Sequence, residues 1–224
     1  MNATVEYAPG RLLDVHGEAA PVTVLLWHGR GPNEREVLSP FADLIAADGF
    51  RVVVPDWDST ADDGGRRDLL LSIRYVRELE APFLIAGWSL GGAAAASLAL
   101  SSRKLSLGNV PVVTLAGGFS KEDPLSGAPF AELTIPERNQ GSITLLRGTL
   151  DDIVPENDSP DFHARLQAAR WTTELIDLEA DHAGVVGAAY DRETDICVPV
   201  PDSEPGRQAA RIVSEAAALL RPKP

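Results

Sequence analysis

Residues 87–91 read Gly87-Trp88-Ser89-Leu90-Gly91, and a serine hydroxyl in that setting is a candidate nucleophile for acyl transfer. An apolar run, Pro82 to Ala86, leads directly into it, and a small-residue run from Gly92 to Ala96, continued by Leu98 and Leu100, leads away. That order predicts strand, sharp turn, helix. On such a turn the serine is held in strained backbone geometry with its hydroxyl exposed at the top of a sheet. The glycines leave room where a side chain would collide with a neighbouring strand or helix. The next backbone N–H, that of Leu90, lies at a helix N-terminus and can donate to a developing oxyanion. An ordinary Gly/Ser connection is the bland alternative. The clean strand before the serine and the Ala-rich helix after it favour the nucleophile.

A serine needs a base, expected to be a histidine that is itself oriented by a carboxylate. The chain has four histidines, His16, His28, His163 and His182. His16 falls in an N-terminal pair of short runs, and His163 lies inside a helical segment among charged neighbours, which reads as a solvated face. His28 ends a strand in Leu-Leu-Trp-His-Gly. His182 follows the last strand of the series, in Glu-Ala-Asp-His-Ala-Gly. Successive parallel strands end on one side of a sheet, where open α/β sheets bind ligands, so the His182 loop should open beside Ser89. The carboxylate should also follow a strand. Gly148-Thr149-Leu150-Asp151-Asp152-Ile153-Val154-Pro155 supplies two, either of which could reach His182; Asp152 could instead cap the following turn.

The elements that must position these groups alternate along the chain. Val22 to Trp27, Arg51 to Pro55, Pro82 to Ala86, Val110 to Ala116, Ser142 to Arg147 and Thr172 to Leu178 read as strands. Glu36 to Asp48, Arg66 to Leu79, Leu90 to Ser101, Asp161 to Arg170 and Arg207 to Leu220 read as helices. Continuous apolar strands separated by helices predict an α/β fold, a mostly parallel sheet covered on both faces. Ala3 to Tyr7 and Arg11 to His16 read as an antiparallel edge hairpin. Two stretches read as irregular, Gly117 to Gln140 and the acidic, Pro-containing Tyr190 to Pro205. Each is a binding element or a surface excursion. Neither is long enough for a separate domain, so residues 1–224 are expected to form one.

Composition narrows the class. The 224 residues, 44% hydrophobic and 24% charged, suffice for a substantial core without staples. The single cysteine, Cys197, permits no internal disulfide and no cysteine metal cluster. It fits a reducing compartment and reads as a bystander in a loop or minor packing position. A net charge of −13, from 20 basic and 33 acidic residues, disfavours nucleic acid and anionic membrane as partners. Met1 to Gly10 lacks the basic and apolar regions of a signal peptide, and no apolar run approaches transmembrane length, so a cytoplasmic location is expected. Oligomeric state is not readable.

The chain resembles the α/β-hydrolase superfamily, and most closely its small, lidless dienelactone-hydrolase-like and carboxylesterase members. The resemblance runs from Val22 onward. It rests on Trp27-His28-Gly29-Arg30-Gly31, on Gly87 to Gly91, on Gly148 to Pro155 and on Asp181-His182, which place Ser89, Asp151 and His182 in the chain order of nucleophile-elbow hydrolases. It implies Asp151, the first aspartate of the G-x-x-D-x-x-V-P pattern, as the acid. It implies a structural role for His28, and the backbone N–H of Arg30 as second oxyanion donor beside Leu90. Dienelactone hydrolases proper carry cysteine where this chain has Ser89, which favours ester hydrolysis. No large cap interrupts the chain between Val110 to Ala116 and Ser142 to Arg147, so the site is expected to be open or covered only by residues 117–140.

The resulting expectation is a serine hydrolase that cleaves a carboxylic ester of a small molecule through an acyl-enzyme, with no metal or organic cofactor. A thioesterase or an acyl-transferring or cyclising biosynthetic enzyme would use the same three residues. A non-catalytic binding protein on the same fold is the reading against which the intact motifs argue. The Arg30 side chain either points to solvent or binds a substrate carboxylate. Trp27, Trp57, Trp88 and Phe119 could line an acyl pocket or be core, with core favoured for Trp27.

Overall fold

The computed structural model describes residues 2–17, 20–137, 141–194 and 196–222. Residues 138–140, which close the irregular 117–140 stretch, and residue 195 within 190–205, lie outside the described residues. The elements run β1 (Ala3–Ala8), β2 (Arg11–His16), β3 (Thr23–Trp27), α1 (Ser39–Ala47), β4 (Arg51–Pro55), α2 (Arg66–Glu78), β5 (Phe83–Trp88) and α3 (Leu90–Ser101). They continue through β6 (Val112–Leu115), β7 (Ser142–Gly148), α4 (Asp158–Ala168), β8 (Thr172–Leu178), β9 (Ala188–Asp191), β10 (Ile196–Pro199) and α5 (Glu204–Ala218).

Eight strands form one sheet in the order β1-β2-β4-β3-β5-β6-β7-β8. The strands from β3 to β8 are parallel, while β2 runs antiparallel to both β1 and β4. Register aligns their carboxyl ends: Trp27 pairs with Gly87, Trp88 with Leu115, Leu115 with Leu146 and Gly148 with Leu178. The loops that leave those ends therefore open on one edge, which is what brings distant parts of the chain together.

The continuous apolar strands bury both faces, because successive side chains point to opposite sides. Val24, Leu26, Val52, Val54, Leu84 and Ala86 pack with α1 and α5 on one face. Leu25, Trp27, Val53 and Ile85 pack with α2, α3 and α4 on the other. Helix α3 lies close against the sheet, since Ala93 to Ala96 are fully buried and carry only methyl groups. No large cap is inserted between β6 and β7. No helix among the described residues is long and apolar enough to cross a membrane.

Several boundaries and environments differ from the reading of the sequence. The 190–205 stretch is not irregular throughout, since β9 and β10 form an antiparallel hairpin. Both strands are short, and acidic and proline residues mask them. Helix α5 begins at Glu204 rather than Arg207, because the Ser203 side chain caps it by accepting from the Gly206 N–H at 3.2 Å. Pro205 is tolerated there, in the first turn, where no intrahelical donor is needed. The expected edge hairpin is present as β1 and β2, and within it His16 is buried with Nδ1 2.8 Å from Asp43 Oδ1. His163 is half-buried rather than solvated, and its Nε2 is enclosed.

Candidate active site

The turn after β5 carries Ser89 at φ 55° and ψ −119°, a conformation that costs a non-glycine residue on the order of 1–3 kcal/mol. Surrounding bonds over-determine it. The Ser89 N–H donates to the Leu115 carbonyl at 2.8 Å, and its own carbonyl accepts from Gly92 at 3.0 Å. Close approach explains the flanking glycines. A methyl group at Gly87 would collide with the Gly91 carbonyl, and one at Gly91 with the His28 carbonyl. The elbow is thus clamped against the end of β3.

His182 lies on the loop after β8 and reaches back to this turn. Its Nε2 is 2.9 Å from Ser89 Oγ, and its Nδ1 is 2.8 Å from Asp151 Oδ2. An Nδ1–H donating to the carboxylate leaves Nε2 free to accept the serine hydroxyl proton, so the network selects the tautomer a base requires. Trp88 supports the ring from the other end, its Nε1–H donating to the His182 carbonyl at 2.9 Å and its indole 5.6 Å from the imidazole. The His182 loop is pinned in turn by the Gly184 N–H donating to Asp181 Oδ1 at 2.7 Å.

Asp151 leaves the end of β7 and uses both oxygens. Oδ2 faces His182, while Oδ1 accepts from the Ile153 and Val154 N–H groups at 2.9 and 3.0 Å. Burial pushes its pKa up, but the hydrogen bonds from His182 and from the Val154 and Ile153 amides outweigh burial and hold it below the usual carboxylate range. The turn after β7 is therefore capped by Asp151 itself. Asp152, the alternative acid and expected cap, is 72% exposed and 3.9 Å from Arg192, so the structure does not bring it to His182.

The loop after β3 closes the site. Gly29 packs against Ser89, where an added methyl would lie 3.3 Å from its Cβ. Neither the Arg30 nor the Leu90 backbone N–H has a hydrogen-bond partner among the described residues. The Arg30 side chain is exposed and lines a cavity of about 750 Å³ that begins at Arg30 and Leu90. Ser59 fixes the loop, its Oγ accepting from the Gly31 N–H at 2.9 Å. His28 is fully buried, its Nδ1–H donates to the Gly29 carbonyl at 2.9 Å, and its ring stacks on Trp57 at 5.4 Å. Burial lowers its pKa to about 4, so it is a neutral wedge under the loop and is not a base for Ser89.

Trp27, Trp57, Trp88 and Phe119 are all buried and line none of the cavities near the elbow. Trp57, Trp88 and Phe119 are thus buried in the core like Trp27. The 117–140 stretch borders a cavity. Phe119 packs on Phe162 and Phe130 with ring centroids 4.6 and 5.0 Å apart, and Ser120 to Pro129 run along the 750 Å³ cavity.

Glu34 is a residue that sequence reasoning missed. Its side chain folds back over Gly31, and its pKa is raised to about 7 by burial, against the opposing pull of His182. No motif marks it, because its nearness to His182 is created only by the fold. Cys197 sits close to Glu34 and Asp181; burial and those two acids raise its pKa to about 11, which keeps it a thiol. Among the described residues no group of three His, Cys, Asp or Glu side chains is placed to hold a metal ion.

The model of the alpha/beta hydrolase family matches residues 24–218. No curated protein matches the sequence. Among solved structures, Thermogutta terrifontis esterase 2 phosphorylated by paraoxon is similar with a TM-score of 0.76 and 16% identity, over 99% of this chain and 96% of that one. The butyrate-bound form of the same esterase gives 0.75 and 15% over the same shares. MGS-M1, an alpha/beta hydrolase enzyme from a Medee basin deep-sea metagenome library, gives 0.68 and 15%, covering 97% of this chain and 98% of that one.

Proposed function

Because the chain belongs to the alpha/beta hydrolase family, matched over residues 24–218, we propose that it is a serine esterase acting on a small-molecule carboxylic ester through Ser89, His182 and Asp151. The observation that carries the reading is the unbroken chain of contacts from Ser89 Oγ through His182 to Asp151, at 2.9 and 2.8 Å. Ser89 Oγ attacks the acyl carbonyl as its proton passes to His182 Nε2. The carbonyl oxygen takes up negative charge and is held by the Leu90 and Arg30 N–H groups. His182 then returns the proton to the leaving alkoxide, the ester C–O bond breaks and an acyl-serine remains. Water, deprotonated by the same imidazole, attacks that acyl group and releases the acid and free Ser89. Asp151 keeps the tautomer and stabilises the imidazolium without taking the proton.

The fold-level likeness to an esterase that paraoxon phosphorylates supports this choice among the hydrolases. The same reading places the protein among the small lidless carboxylesterase or dienelactone-hydrolase-like members, with a serine in place of the cysteine of dienelactone hydrolases proper, and in the cytoplasm. The test is hydrolysis of p-nitrophenyl butyrate by the protein and by Ser89→Ala. The expected loss in kcat is on the order of 10⁵–10⁶-fold, as when the nucleophile of such a triad is removed. Retained turnover in a clean Ser89→Ala preparation would overturn the mechanism.

A further inference from the structure

The cavity that begins at Arg30 and Leu90 does not end at the elbow. A second cavity, also of about 750 Å³, lies between α2, α3 and the 120–136 segment. The two share three lining residues, Arg66, Asp123 and Ser126, so they adjoin at that point. The junction is rigidly built. Asp123 is buried, with Oδ1 accepting from the Leu125 N–H at 3.0 Å and Oδ2 from the Ser126 N–H at 2.9 Å. Beyond it the second cavity presents Leu70, Leu100, Leu105, Leu125 and Leu133, with Arg103, Lys104 and Glu132 among its other lining residues.

Direction follows from the chemistry. The leaving-group oxygen must sit at His182 Nε2 to receive its proton. No residue of the Asp151 or His182 loops lines either cavity, whereas Arg30 and Leu90, the two residues proposed to hold the oxyanion, both line the first. The part of the substrate that runs away from His182, past the oxyanion donors, is the acyl group.

We propose that the two cavities form one continuous acyl groove, which takes esters of medium-to-long-chain acids by laying the apolar tail against Leu70, Leu105 and Leu133. The inference rests on the esterase reading for its chemistry but makes its own claim about substrate class. A tail that buries successive methylenes gains binding with each one, so specificity should climb with chain length.

The test compares kcat/KM for p-nitrophenyl decanoate and p-nitrophenyl butyrate. The wild type should favour decanoate at least tenfold. Ser126→Trp, which fills the junction, and Leu105→Glu, which sets a charge against the tail at a position already 36% exposed, should each lower that ratio tenfold or more. Leu219→Trp, 86% exposed and remote from both cavities, adds bulk without touching the ratio. Calorimetric binding of free decanoate to the wild type and Leu105→Glu gives a readout independent of turnover, with a tenfold weakening expected. Ser89-dependent butyrate hydrolysis with a ratio unmoved by both groove variants would overturn the groove and leave the esterase reading intact. Decanoate binding weakened by Leu105→Glu without turnover of any ester would do the reverse.

Discussion

At the scale of single residues, the site depends on charges placed with opposite consequences. Asp151 is held ionised by donors on both oxygens, while Glu34, half-buried near His182, titrates near pH 7. A free glutamate titrates at about 4.3, so between that value and about 7 the folded state keeps a proton that the unfolded state has lost. Stability must therefore fall as pH rises through this window. Glu34→Gln cannot ionise and should remove the fall, leaving stability little changed at pH 4 and raising it at pH 8. Melting temperature measured across that range checks it; parallel curves for the two proteins would contradict the placement of Glu34. Asp151 and His182 stand out in the sequence because each follows a strand in a short, polar loop. Glu34 does not, because an acid four residues beyond Arg30 looks like any solvated glutamate until the fold lays it near the imidazole.

Elements set the precision with which those residues meet. The strands that carry the site were legible because two-sided burial writes them as unbroken apolar runs, as in Arg51 to Pro55, and glycines punctuate their ends. The β9–β10 hairpin was not, since its strands are four residues each and its large apolar side chains, such as Ile196 and Tyr190, are mostly exposed. Nor was the role of Asp158, which binds the 117–140 segment to α4 by accepting from the Phe119 and Ser120 N–H groups at 2.8 and 2.9 Å. Asp158→Ala leaves both amides without that acceptor and should cost about 1–3 kcal/mol. Phe119 would still be held by its ring contacts, so the segment should loosen rather than detach, raising KM for esters more than it lowers kcat. Thermal melts and steady-state kinetics on this one variant read both effects, and an unchanged melting temperature would contradict the anchoring role.

For the whole molecule, the continuous sheet is the organising fact. Its two faces carry separate apolar cores, yet each parallel strand from β3 to β8 contributes to both, so neither core can be lost while the other persists. Residues 1–224 should then unfold as one cooperative unit, with near- and far-ultraviolet dichroism giving coincident urea transitions. Two separated transitions would contradict a single domain. The alternation of strands and helices made this architecture readable, because burial patterns are local. The adjacency of the two cavities was not readable, because Arg66 lies far along the chain from Asp123 and Ser126 and only the packed fold brings them to one place.

The central claim is that Ser89 is the nucleophile, and covalent trapping tests it most directly. Incubation with paraoxon, followed by intact-mass measurement and peptide mapping, should give one diethylphosphoryl group per chain on Ser89, with butyrate ester hydrolysis lost in proportion to labelling. Labelling of another residue, or full esterase activity in the stoichiometrically labelled protein, would contradict the account.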